Sequence, residues 1–410
     1  MSKNLKARLT YLRNSKREGS NGNNKSCTDG DKNISSPAAT DANELTPDAG
    51  DFALDTAWPG WIEVGFKTLK RELLLTVPYS LPAVLSDAFA MLVPDFARIG
   101  HIPKASSLLF FDLETTGLSG GAGNIAFLAA FGRFATVEKN TAAAEASLVI
   151  TQYLLLDYSG ESDFIELIVK EFTPTDDGLP VVVSYNGKCF DSQILANRCI
   201  MKGAVVPEYF HVDLLHPSRR LWKQELPNCS QATIEVSVLG LDRSGDVSGA
   251  MAPDIWFSFL RNGEKQDLLK ICEHNKKDIA GLASLFLALG EIAVNPIGSQ
   301  NKYHYDLEAL ALTWRAALKK YASFVSGREP ENVKLRQTFA ETAKILLETA
   351  ALKGCPRAAI VAAMDAEWKL RNPALALTYV RAALEKPGIS EGLQFDLEKR
   401  RTRLEKKMEG

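Results

Sequence analysis

The chain has 410 residues, 46% of them apolar and 24% charged, with a formal net charge of −2. This is a soluble globular composition with room for more than one hydrophobic core. It excludes an overall basic, polyanion-coating protein, so any nucleic-acid site has to be local. The scattered cysteines, without a Cys-x-x-Cys pair, exclude a zinc ribbon and a disulfide framework and fit reduced thiols in a cytosol.

Residues 1–14 pattern as a short basic amphipathic helix with Leu5, Leu9 and Leu12 on one side. They lack the apolar core of a signal peptide. Residues 15–50 are rich in Ser, Asn, Asp, Gly and Thr without an aromatic, the composition of a disordered linker. The first unit is therefore a basic segment and linker over 1–55, followed by an irregular lead-in over 56–104 that mixes apolar patches with Pro and Gly.

A ribbon of strands and helices is expected over 105–295. Leu108 to Phe111 is an apolar run that reads as a buried strand and closes on Asp112-Leu113-Glu114-Thr115-Thr116-Gly117. Side chains alternate along a strand, so Asp112 and Glu114 project together. Such carboxylates repel each other, and a hard divalent cation relieves the repulsion. A solvated Asp-x-Glu has the same pattern. Gly117, Gly120, Gly121 and Gly123 follow, but without the Gly-Lys-Ser/Thr of a phosphate loop or a dinucleotide-binding spacing. Their expected use is a tight turn and a close approach to substrate.

Strands are expected at 125–134, 148–156 and 179–185, with helices at 163–172 and 192–201. Asp191 lies in the first turn of the second of these helices, a position that also suits a plain helix-start acid. Helices follow at 217–225, 231–239, 254–261 and 266–291. Arg219, Arg220 and Lys223 beside Trp222 fit contacts to a nucleic-acid backbone and base, or equally two exposed cations around a buried Trp. His274 and Asp278 are four apart and share a helix face, as a surface hydrogen-bonded pair would. The longest apolar stretch, Gly281 to Ala293, is short and carries Glu291, so no membrane span and a cytoplasmic location are expected.

Residues 306–410 turn Ala- and Leu-rich, with helices at 340–352, 356–369, 373–384 and 391–406 and Trp314, Trp368 and Tyr379 as packing anchors. Ala374 to Glu385 resembles the second helix of a tetratricopeptide repeat, without a clean repeat register, and a plain helical bundle fits as well. The basic end from Lys399 to Lys407 is interrupted by Glu405, which suits a solvated helix face.

The three acidic motifs, in this order on strand, helix and helix, resemble those of the DEDD exonuclease superfamily, with Asp112 and Glu114 in the first, Asp191 in the second and Asp278 in the third. The extended first motif Phe111–Gly123, the segment Tyr185–Asp191 and the stretch His211–Trp222 resemble the YprB-type ribonuclease H-like group. The likeness covers roughly residues 60–289. It implies an α/β ribonuclease H-like fold, a mixed sheet with flanking helices, followed by an all-α tetratricopeptide-like domain. It further implies a metal-dependent hydrolase of phosphodiester bonds, a 3′→5′ exonuclease on single-stranded DNA or RNA. Two Mg2+ or Mn2+ ions would sit on Asp112, Glu114, Asp191 and Asp278, with Thr115, Gly117, Asn186, Phe190, Arg219 and Arg220 against substrate.

The superfamily places a Tyr four residues, or a His five residues, before the last Asp. Here His274 and Glu273 stand at those positions, and His274 is expected to activate the attacking water. The helical tail implies a protein partner and a chain ending near Asn301 that still cleaves. The competing expectation is a catalytically weak or inactive nucleic-acid-binding adaptor, against which the intact carboxylate set argues.

Overall fold

The computed structural model describes residues 58–409 except 83–84, 94, 97–98, 100–102, 118–122, 136–144 and 325–329. The amphipathic helix and linker expected at 1–55 lie outside the described residues, as do Gly120 and Gly121.

A seven-stranded mixed sheet organises the chain, in the order β1-β2-β5-β4-β3-β6-β7. Strands β1 (Ile62–Gly65) and β2 (Thr68–Ser80) form a hairpin. Strands β3 (Leu108–Thr115), β4 (Ala126–Phe134) and β5 (Glu145–Leu155) continue antiparallel. Strands β6 (Val181–Ser184) and β7 (Phe210–Asp213) add on parallel to β3. Between and after them come α1 (Glu161–Lys170), α2 (Asp191–Lys202), α3 (Leu215–Trp222), α4 (Gln231–Ser237), α5 (Ala252–Asn262) and the long α6 (Gln266–Val294).

The strands at the centre are apolar on both faces because both are covered. On β3, Leu109, Phe111 and Leu113 enter one core with α1, α2 and Trp256 of α5, while Leu108 and Phe110 enter the other with the second half of α6. Asp112 and Glu114 continue the Leu108–Phe110 face out of that second core, towards α6. The central strands and helices fall where the sequence pattern places them.

The irregular lead-in over 56–104 is corrected by β2, which pairs with β5 from Thr68↔Leu155 to Ser80↔Glu145. Leu73-Leu74-Leu75 and Pro78 mask its alternation in the sequence. Among the described residues, β1 covers the outer side of β2 only from Thr68 to Lys70. Pro78 falls in the register shift between Val77 and Ser80, without a β5 partner, so its missing N–H costs no ladder bond. Strand β7 is also additional; four residues are too few to show a period.

The C-terminal region is all helical: α7 (Leu307–Phe324), α8 (Pro330–Leu352), α9 (Pro356–Trp368), α10 (Pro373–Leu384) and α11 (Glu391–Glu409). Helices α9 and α10 start on Pro, which has no N–H to leave unpaired. Asn372 caps α10 by accepting the Leu375 N–H at 3.0 Å. Buried alanines such as Ala359, Ala363, Ala376 and Ala383 let these helices approach closely. This region shares a core with the sheet, because one cluster runs from Phe110 and Phe286 through Tyr303, Leu310 and Trp314 to Val380 and Leu404. Trp222 Nε1 donates to the Tyr303 carbonyl at 2.9 Å, and the Asp306 N–H donates to the Leu221 carbonyl at 2.8 Å. Among the described residues no helix is long and apolar enough to cross a membrane.

Candidate metal-binding active site

The cluster forms where β3, the start of α2 and the middle of α6 meet. Asp112 Oδ2 accepts a hydrogen bond from Asn275 Nδ2 at 2.7 Å. Asn275 Oδ1 in turn accepts from Gln152 Nε2 at 2.8 Å, and Gln152 Oε1 accepts from Arg71 Nε at 2.7 Å. Asn275 and Gln152 are fully buried, so this chain of bonds fixes the Asp112 carboxylate from behind.

Asp191 is held by a tight turn. The Asn186 backbone is left-handed, with φ 65°. At Gly187 a Cβ would come within 2.5 Å of Ser184 Oγ and 2.9 Å of Asp191 Oδ2, so a side chain there would crowd the carboxylate. The buried Asp213 carboxylate accepts the N–H groups of Asn186 (2.8 Å), Lys188 (3.2 Å) and Leu215 (3.0 Å), and so ties the turn to the start of α3.

His274 and Asp278 reach in from α6. His274 Nδ1 lies 3.0 Å from Asp246 Oδ2, and its Nε2 lies 3.3 Å from Asp278 Oδ2. One ligand-capable atom each from Glu114, His274 and Asp278 falls within 4.8 Å of the others. Arg243, in the loop between α4 and α5, pairs with Asp278, with Asp246 Oδ2 at 2.6 Å and with the buried Glu235.

Electrostatics mark the same spot. Burial, then the charges of Asp278, Asp191 and Glu114, push the Asp112 carboxyl well above the usual carboxylate range. Burial and the charges of Asp278, Asp191 and Asp246 do the same to Glu114. Burial, with Asp213 adding to it, lifts Asp191 to about 7. Asp246 goes the other way: burial pushes it up, but hydrogen bonds from Arg243 and His274 hold it below its ordinary value. Carboxylates that converge while losing water need a compensating positive charge. An oxygen-rich donor set with one imidazole suits a divalent cation. The residues therefore fit such an ion, and Glu114, His274 and Asp278 bring one donor atom each close enough to share it.

The residues expected against substrate divide. Thr115 turns its hydroxyl to the Gly117 carbonyl at 2.9 Å, and a Cβ at Gly117 would stand 2.4 Å from Asn124 Oδ1. Both shape the turn beside the cluster. Asn186 is exposed and Phe190 half-buried directly before Asp191. Arg219 and Arg220 are exposed on α3, where Arg219 lies beside Tyr185 and Arg220 lines a groove with Leu312 and Ala316 of α7. Trp222 is fully buried under Tyr303, so it cannot stack on a base.

Sequence reasoning missed Asp246, Arg243, Glu235, Asn275, Gln152 and Asp213. Asn275 alone left a signal: it occupies an inward position of the α6 spacing, between Cys272 and Ile279, where an apolar residue is due.

Residues 109–289 match the family profile described as RNase_H superfamily. The chain is also similar to a protein of Bacillus subtilis strain 168 named uncharacterized protein YprB, 35% identical over 219 residues, which are 52% of this chain and 49% of that protein. The chain thus spans about half the length of that relative. The mixed sheet with flanking helices is consistent with a ribonuclease H-like fold.

Proposed function

We propose that the chain is a metal-dependent nuclease of the DEDD type that hydrolyses single-stranded DNA or RNA as a 3′→5′ exonuclease in the cytoplasm. The observation that carries this reading is the convergence of Asp112, Glu114 and Asp191, all raised above the carboxylate range, around Asp278. Two bound divalent ions, Mg2+ or Mn2+, would supply an activated water and stabilise the leaving oxygen. The chain's own part is placement. Asn275 orients Asp112, the Asn186–Gly187 turn sets Asp191, and the exposed Asn186 and half-buried Phe190, close to Asp191 in the chain, are read as contacts for a strand. The tetratricopeptide-like helical region is read as the surface for a protein partner.

The test is purified protein with end-labelled single- and double-stranded DNA and RNA, in Mg2+, Mn2+ or EDTA. Stepwise shortening from the 3′ end with either metal, none in EDTA, and none with Asp112→Asn or Asp191→Asn is expected. Full activity in either variant defeats the carboxylate reading. A second reading, a nucleic-acid-binding adaptor without cleavage, is favoured by one observation: Arg243 already neutralises Asp278. It predicts binding of single strands with no product in any metal.

A further inference from the structure

We infer that His274 binds the catalytic cation directly through Nε2, with Asp246 holding its ring, so that the site prefers transition-metal ions to Mg2+. This rests on the nuclease reading for the presence of a cation and departs from it on what His274 does. The expected task of the residue was to take a proton from water.

Three observations point to a ligand. The first is where Nε2 looks. It lies 3.3 Å from Asp278 Oδ2, and donor atoms of Glu114, His274 and Asp278 fit within 4.8 Å of one another. Adjacent ligands at about 2.1 Å from an octahedral ion are separated by roughly 3 Å, and opposite ones by roughly 4 Å. The His274–Asp278 separation thus suits two neighbouring corners of one coordination sphere. A water-activating base would instead face the substrate side, one water beyond the ion.

The second is the other ring nitrogen. Nδ1 lies 3.0 Å from Asp246 Oδ2, a partner that can hold the ring proton on that nitrogen and free Nε2 for an ion. Metal-bound histidines are held this way, with the remote N–H given to a carboxylate that fixes tautomer and ring angle. Asp246 is itself anchored by Arg243 Nη1 at 2.6 Å, and its side chain is only 11% exposed, so the support is rigid. The third is the glycine beside the ring: a Cβ at Gly249 would stand 3.1 Å from Nε2, so any side chain there would crowd the nitrogen that glycine leaves clear.

An imidazole donor changes ion preference. Mg2+ favours oxygen ligands and keeps its waters, while Mn2+ and especially Co2+ gain from nitrogen. The measurement is calorimetric titration of metal-free, full-length protein with MgCl2, MnCl2 and CoCl2, without nucleic acid. His274→Ala is expected to weaken Mn2+ and Co2+ binding at least about tenfold and leave Mg2+ within about twofold. Asp246→Asn is expected to weaken Co2+ binding by roughly 10- to 100-fold, the usual effect of losing such a support. Unchanged Mn2+ and Co2+ affinity in His274→Ala, or an equal loss for Mg2+, overturns the inference.

If His274→Ala does not fold, as melting and circular dichroism would show, the intact protein decides. Mn2+ bound to protein labelled with 15N-histidine should show hyperfine coupling to one histidine nitrogen, and its absence overturns the inference. The two readings fail separately. The nuclease reading fails when wild-type protein cleaves nothing with any ion. The ligand reading fails in metal binding even while cleavage persists.

Discussion

Gly281 faces the carboxylate of Glu235, and a Cβ there would stand 1.7 Å from Oε1. Alanine ordinarily stabilises a helix interior over glycine by up to about 1 kcal/mol. Here it has to displace a buried carboxylate that Gln231 Nε2 holds at 2.8 Å and Arg243 pairs with. Gly281→Ala is therefore expected to lower stability by about 1–3 kcal/mol, read as a lower denaturant midpoint. A raised midpoint would mean that Glu235 swings aside freely. The same residues show what a sequence can reveal. Asp112 with Glu114, and His274 with Asp278, are visible because a strand period and a helix period put each pair on one face. Arg243, Asp246 and Glu235 reach the cluster from a loop and a short helix, where no period links them to it. Only the fold reveals that contact.

The junction of β6, β7 and α2 carries a pH-dependent load through His211. Its Nε2 lies 2.7 Å from Ser184 Oγ and its Nδ1 3.1 Å from Ser192 Oγ. Burial, then the nearby Lys188 charge, lowers its pKa from the ordinary 6.5 to about 4, against the opposing charges of Asp213 and Asp95. The folded state thus keeps His211 neutral over a range in which the unfolded chain takes up a proton. Stability from this group is present above about pH 6.5 and is lost as pH falls towards 4. The loss is about 3 kcal/mol at most, and less because the ring is only partly buried. The raised carboxyls of Asp112, Glu114 and Asp191 act in the opposite direction over this range, so the His211 effect is read as a difference: from pH 7 to 4 the urea midpoint of His211→Gln should rise relative to that of the wild type. A constant difference across that range would mean that His211 carries no such load. At this scale β3 to β6 and α6 were legible because they are long or strongly apolar. The hairpin strand β2 and the four-residue β7 were not, since Pro78 and a leucine run hide one period and brevity hides the other.

Composition changes at about residue 306 from mixed to Ala- and Leu-rich, whereas the last strand already ends at Asp213 and every described element after it is a helix. What composition does not carry is whether two such regions share a core. Tyr303, Tyr305, Leu307 and Leu310 are buried in the cluster that also holds Phe286 and Trp222. A chain ending near Asn301 would bare that surface and lose the Trp222–Tyr303 and Leu221–Asp306 bonds. Contrary to the expectation from sequence, it should be soluble poorly or not at all. A chain ending at Phe324, which keeps α7, should be recovered in higher soluble yield and with a higher melting temperature. Equal melting of the 301-residue and full-length chains would show the tail to be energetically separate.

The pairing of β2 with β5 joins Thr68 to Leu155, and the site draws on Asp112 and Asp278. Contacts so distant along the chain form slowly, typically over milliseconds to seconds, because the intervening loops must close first. A chain still emerging from the ribosome carries Asp112, Glu114 and Asp191 long before α6 arrives, and so holds an incomplete ion site. Cation capture is expected in refolding only with the last phase, when α6 docks. Were the chain the nuclease proposed above, a copy still being made would have no competence to cleave.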